Sequence, residues 1–168
     1  MTRVMGIVSG KGGVGKTTFA VNLAIALSRF GKKVLIIDCN ISTPHVAYYL
    51  GAESYSINLS NIFKGEVDVK FAPLSHHGVM FIPASEDLKD MDIDFEKLNT
   101  YVSKLDKKNT FDFIFLDSAP GLGDEAVSVL KTAKEILFIT TPTVPNITDM
   151  VRCAEFLSNL EHKEMRNM

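Results

Sequence analysis

The stretch Gly10-Lys11-Gly12-Gly13-Val14-Gly15-Lys16-Thr17, continued by Thr18, gathers residue types with one shared chemical use. It fits the template G-x-x-x-x-G-K-[ST], in which consecutive backbone N–H groups converge on phosphate oxygens. Glycines allow that convergence because they reach backbone conformations other residues resist. Lys16 is placed to bridge β- and γ-phosphates, and the Thr17 hydroxyl to ligate Mg²⁺. An apolar run, Arg3–Val8, precedes the loop and a helical pattern follows from Lys16, so a helix N-terminus adds its partial positive charge. A mere flexible turn would not need all four template positions and both flanking elements.

A second signal lies a hundred residues on. The apolar run Phe113–Leu116 ends at Asp117, and ligands of open parallel sheets bind outside the carboxyl ends of the strands. Mg²⁺ takes oxygen ligands and keeps several waters, so one carboxylate, the Thr17 hydroxyl and phosphate oxygens suffice. A strand-ending Asp can also simply cap a turn; beside a phosphate loop, the metal role is expected. The following Ser118-Ala119-Pro120-Gly121-Leu122-Gly123 is stiff and then flexible, suited to sensing a γ-phosphate.

These residues need strands that end together. Val34–Ile37, Val79–Ile82, Phe113–Leu116 and Ile136–Ile139 are continuous apolar runs, the pattern of strands covered on both faces. Helical patterns fall at Lys16–Leu27, near Ile93–Leu105, at Asp124–Thr132 and from about Asn146 to Leu160. Strand and helix in alternation imply right-handed βαβ units. The expected class is α/β, a P-loop NTPase with a mostly parallel, doubly wound sheet and helices on both faces. Residues 51–75 show no regular pattern. The chain is expected to be a single domain over 1–168, lacking C-terminal strands and helices, because a terminal helix in such a fold normally returns to the sheet.

Composition agrees with one globular domain: 168 residues, 46% hydrophobic and 23% charged. Net charge is −2, against the strongly basic balance of a nucleic-acid-binding surface. No apolar run approaches the ~20 residues that span a bilayer, and no export signal is visible. The two cysteines, Cys39 and Cys153, are far apart, consistent with a reducing cytoplasm.

The loop Lys11-Gly12-Gly13-Val14-Gly15-Lys16-Thr17-Thr18, with Asn22-Leu23-Ala24 in the next helix, resembles the deviant Walker A loop of the MinD/ParA family of ATPases. Asp38 resembles the family's first switch, and Asp117–Gly123 its second. The stretch Asp38-Cys39-Asn40-Ile41-Ser42-Thr43-Pro44-His45 is most similar to archaeal MinD-like proteins. The resemblance implies ATP and Mg²⁺ as ligands, slow hydrolysis to ADP and phosphate, and a face-to-face homodimer that forms with ATP. It implies a phosphate site of Gly10, Lys11, Gly12, Gly13, Val14, Gly15, Lys16, Thr17 and Thr18. Catalytic roles fall to Lys11, Lys16, Asp38 and Asn40, and metal-site roles to Thr17, Asp38 and Asp117. Lys11 would reach across to the partner's phosphates, as an arginine finger does.

At Asn40 many bacterial members carry Asp. An amide can orient water but cannot accept its proton, so turnover is expected to be slow. The expected role is spatial positioning of division or polarity machinery, in the cytoplasm, with a protein regulator as partner. Membrane contact would come only through a C-terminal segment beyond Met168. The alternatives are a ParA-type DNA-partition ATPase, an Mrp/Nbp-type iron–sulfur carrier, and a non-hydrolysing nucleotide-binding adaptor. The first wants a basic surface, and the second a Cys-x-x-Cys pair that these residues lack. Two lesser features read as surface: His76-His77 lacks further ligands at metal spacing, and the acidic run from Glu86 to Glu96 does not match a Ca²⁺ loop.

Overall fold

The computed structural model describes residues 1–52, 54–85, 94–107 and 110–166. Six strands form one sheet: β1 (Arg3–Val8), β2 (Val34–Cys39), β3 (Leu74–His76), β4 (Val79–Ile82), β5 (Phe113–Ser118) and β6 (Glu135–Phe138). Their spatial order is β3-β4-β2-β5-β1-β6. All pairings are parallel except β3 with β4. The helices are α1 (Lys16–Arg29), α2 (Val46–Leu50), α3 (Leu59–Phe63), α4 (Lys97–Asp106), α5 (Asp124–Thr132) and α6 (Val144–Arg166).

The continuous apolar runs do what two-sided burial requires. Along β2, Val34 and Ile36 pack with Ala20, Val21 and Ala24 of α1 and with Leu50 of α2. Leu35 and Ile37 point the other way, into a cluster with Leu98 and Val102 of α4 and Val129 of α5. Adjacent strand residues face opposite sides, so both sets are buried only because both faces are roofed. Ala20 and Ala24 are fully buried, and their small side chains let α1 lie close to the sheet. Gly6 does the same on the opposite face, where a Cβ would stand 3.0–3.1 Å from Ile136, Ala133 and Val129 side-chain atoms.

Three expectations change. The segment 51–75 contains α3 and a short 3₁₀ turn (Val69–Phe71), then β3, an antiparallel edge strand on an otherwise parallel sheet. His76 ends β3, and His77 with Gly78 forms the two-residue turn into β4, both at positive φ as that tight hairpin requires. The last helix starts at Val144 rather than Asn146 and continues to Arg166, through residues that read as a helix end. Helix α4 begins at Lys97; Ile93 and the acidic residues Glu86, Asp87, Asp90 and Asp92 lie outside the described residues. Glu96 pairs with Lys131 at 2.6 Å and Asp94 with Lys97 at 4.0 Å, so the described end of that run is a solvated, ion-paired edge.

Phe115, on β5 at the centre of the sheet, has no exposed surface. Phe115→Ala is expected to lower unfolding stability by about 3–5 kcal/mol, read as a shift in the urea midpoint with unchanged slope. A loss below about 1 kcal/mol would mean that this face is not close-packed.

Candidate functional site

The glycine-rich loop leaves β1 at Val8 and enters α1 at Lys16. Ser9 is buried, and its hydroxyl donates to the Lys11 carbonyl at 2.8 Å, folding the loop back on itself. Gly13 and Gly15 sit at φ +78° and +94°, where a side chain would be strained. Gly10 is glycine for a different reason: a Cβ there would lie 2.6 Å from the backbone carbon of Asp149 on α6. Helix α1 starts with no side-chain cap and no acidic residue in its first turn. Its first N–H groups and the positive end of its dipole are thus left for an anion. Lys16, only 7% exposed, stands beside them.

Beneath the loop lie two carboxylates. Strands β2 and β5 run parallel in a register that sets Asp38 level with Asp117. The Thr17 hydroxyl donates to Asp117 Oδ2 at 2.6 Å. The other oxygen, Asp117 Oδ1, is buried without a hydrogen-bond partner among the described residues. Asp38 is fully occupied by backbone: Oδ1 accepts from Asn40 N at 3.1 Å, and Oδ2 from His45 N and Val46 N at 3.0 Å each. It therefore anchors the loop after β2 and the start of α2. Burial, then the neighbouring Asp117, push the Asp38 carboxyl up to about 7, against those three donors. Burial pushes Asp117 up to about 6, offset in part by the Thr17 hydroxyl and the nearby Lys16 and His45.

A cavity of about 300 Å³ opens over this arrangement. Of the expected site residues, Gly12, Gly13, Gly15, Lys16, Thr17, Thr18 and Asn40 line it, while Asp38 and Asp117 are buried next to it. Gly10 and Val14 do not line the cavity. Lys11, next in sequence to the lining residue Gly12, is exposed and does not line the cavity. Asn40 faces Thr43, with Nδ2 3.0 Å and Oδ1 3.2 Å from Thr43 Oγ1, a pair of polar groups able to hold a water molecule.

Pro120, from the loop expected to sense a γ-phosphate, also lines the cavity, and sequence inspection assigned no role to the three residues that complete the lining, Thr43, His45 and Tyr49. Thr43 and His45 stood inside the quoted stretch after Asp38, but nothing local shows that their loop folds over the cavity. The Asp117 oxygen without a partner, two bonds from a hydroxyl-bonded one, fits a hard divalent cation such as Mg²⁺. No group of three or more metal-ligating side chains occurs among the described residues. Cys39 and Cys153 are buried free thiols, both pushed up by burial.

A family model described as ParA, "NUBPL iron-transfer P-loop NTPase", matches residues 1–166. An uncharacterized ATP-binding protein of Methanocaldococcus jannaschii is 37% identical over 156 residues, 90% of this chain and 58% of the relative. The septum site-determining protein MinD of Pyrococcus horikoshii, solved with Mg-ADP, superposes with a TM-score of 0.87 at 31% identity, covering 95% of this chain and 66% of that one. MinD from the MinC:MinD complex of Aquifex aeolicus is similar too, with a TM-score of 0.86 at 31% identity, covering 95% and 65%. This chain thus spans less than two-thirds of the length of each.

Raised carboxyl values have a stability consequence. An acid whose folded value lies above its unfolded value binds protons on folding, and the stability this adds is lost as pH rises through the folded value. For Asp38 and Asp117 the window runs from about 4, their unfolded value, up to about 7. The metal-free, nucleotide-free chain is therefore expected to melt on the order of 5 °C higher at pH 6 than at pH 8. Asp117→Asn should reduce that slope without abolishing it, because the burial that chiefly raises Asp38 remains. A melting temperature that falls from pH 8 to 6 would contradict the arrangement.

Proposed function

The chain belongs to the ParA/MinD family of P-loop NTPases, and on that premise we propose that it binds ATP with Mg²⁺ and acts as an ATP-driven dimerisation switch of the MinD type. The observation that carries this reading is the uncapped start of α1 with buried Lys16 beside it, above a Thr17–Asp117 pair that keeps one carboxylate oxygen free. That set binds phosphate and a hard cation by charge and hydrogen bonding.

Lys16 and the loop N–H groups would hold the β- and γ-phosphates. Thr17 and Asp117 would hold Mg²⁺, whose contribution when bound is to neutralise charge on the phosphate oxygens. Asp38 keeps the loop after β2 in place through its three backbone bonds. Asn40 and Thr43 orient a water at the cavity's open side. Neither is a base at neutral pH, so hydrolysis is slow. Lys11 is exposed beside the lining residue Gly12, free to reach the phosphates of a second subunit and add positive charge that a single chain does not supply.

The relatives support a cellular role in positioning division or polarity machinery: two of those compared are MinD proteins. The MinC:MinD complex supports a protein regulator as partner. Residence in the cytoplasm, at times peripheral to the membrane, belongs to the same proposal. No helix among the described residues is long and apolar enough to cross a membrane. A second reading, iron transfer, takes its support from the description of the family model. It would need thiolates in reach, and Cys39 and Cys153 are buried; bound iron after purification under reducing, anaerobic conditions would favour it.

Light-scattering mass in Mg·ADP and then in Mg·ATP tests the switch. The mass is expected to double with ATP only, and Lys11→Ala to stay monomeric while still binding nucleotide. A monomer under saturating, demonstrably bound ATP would exclude the dimer mechanism for this chain and leave the adaptor reading.

A further inference from the structure

Glu125 belongs to no motif, yet it ties together the two loops that flank the cavity. It lies in the first turn of α5, half-buried, directly after the loop Ala119–Gly123. Its Oε2 accepts from the Ile41 backbone N–H at 3.1 Å, and its Oε1 from the Ser42 hydroxyl at 2.9 Å. Asp38 holds the same loop at residues 40, 45 and 46. The side chains of Asn40 and Thr43 bond to each other. Among the described residues, the polar hold on 41 and 42 from outside the loop comes from Glu125.

We propose that Glu125 is a positioning residue that couples the loop after β5 to the loop after β2, so that Pro120 and Asn40 keep fixed places in the lining of the phosphate cavity. The Ile41 N–H shares a peptide plane with the Asn40 carbonyl, so pinning it fixes the ψ angle of Asn40. On the other side, Gly121 N donates to the Ser9 carbonyl at 2.9 Å, tying the loop after β5 to the glycine-rich loop. The N–H of Val127 bonds to the Gly123 carbonyl, so the helix bearing Glu125 is continuous with that loop. A displacement of Pro120 by whatever fills the cavity therefore moves α5's first turn, and with it Ile41 and Asn40. Hydrogen bonds to a charged carboxylate are the strong kind, and two from one group restrict both distance and direction.

The coupling itself rests on these contacts alone; its effect on turnover rests on the ATP reading above. The test has two arms. In the nucleotide-free protein, Glu125→Ala should speed amide hydrogen exchange at Ile41 by roughly 10-fold or more. The Val46 amide, held by Asp38, should change by less than about 2-fold. Glu125→Gln keeps an acceptor for Ile41 and a polar group for Ser42, and should restore most of the protection. Unchanged Ile41 exchange, or equal acceleration at Ile41 and Val46, overturns the coupling.

In the second arm, Glu125→Ala should lower kcat for ATP about 10-fold with KM within about 3-fold. Ser42→Ala should add little in the Glu125→Ala background, as expected for two residues acting through one contact. Deprotection of Ile41 with kcat unchanged overturns the claim that the contact positions Asn40. A wild-type chain that hydrolyses no ATP sinks the ATP reading alone, and the exchange result still decides the coupling.

Discussion

Two carboxylates sit level with one another at the ends of adjacent buried strands, and much of the site follows from how the chain accommodates them. In parallel pairing, register alone places Asp38 beside Asp117. Neither has more than 1% of its surface exposed, so each needs compensation when charged. The chain supplies it unequally. Asp38 receives three backbone N–H donors, which organise the loop after β2 into the turn that starts α2. Asp117 receives one hydroxyl and the nearby charge of Lys16, which leaves one oxygen unsatisfied. One carboxylate thus has both oxygens engaged by the backbone, and the other keeps an oxygen without a hydrogen-bond partner among the described residues.

The sheet makes this placement possible. Alternate residues of β2 are sealed by α1 and α2 on one face and by α4 and α5 on the other, which fixes the strand ends to within the tolerance of a packed core. The glycine-rich loop closes over those ends. It does so between α1, which follows it from Lys16, and α6, against which Gly10 is pressed. The loop after β5 reaches back to Ser9, and through Glu125 forward to the loop after β2. Three loops that follow three different strands are in this way joined by hydrogen bonds around one cavity.

What could be read in the sequence was local. The glycine-rich loop, its flanking strand and helix, and Asp117 at the end of an apolar run carry their signals within a few residues each. The buried strands were legible because two-sided burial leaves no polar alternation. The hairpin at β3–β4 was not, since β3 is three residues long and half-exposed, with no apolar run to mark it. The start of α6 did leave a trace: Pro145 is the second residue of the helix, a position where its missing N–H costs nothing. Glu125, Thr43, His45 and Tyr49 were beyond reach for another reason. Their importance lies in contacts such as Glu125 with Ile41, 84 residues apart, and no local pattern encodes a contact of that range.

The free oxygen of Asp117 is the feature on which Mg²⁺-dependent ATP binding would most directly depend, and calorimetric titration of ATP with and without Mg²⁺ tests that role. The wild-type chain is expected to bind ATP at least about 10-fold more tightly with Mg²⁺ than with chelator present. Asp117→Asn should bind metal-free ATP as the wild type does and lose most of the gain from Mg²⁺. Equal affinity with and without Mg²⁺ in the wild type, or a full Mg²⁺ gain in Asp117→Asn, would contradict it.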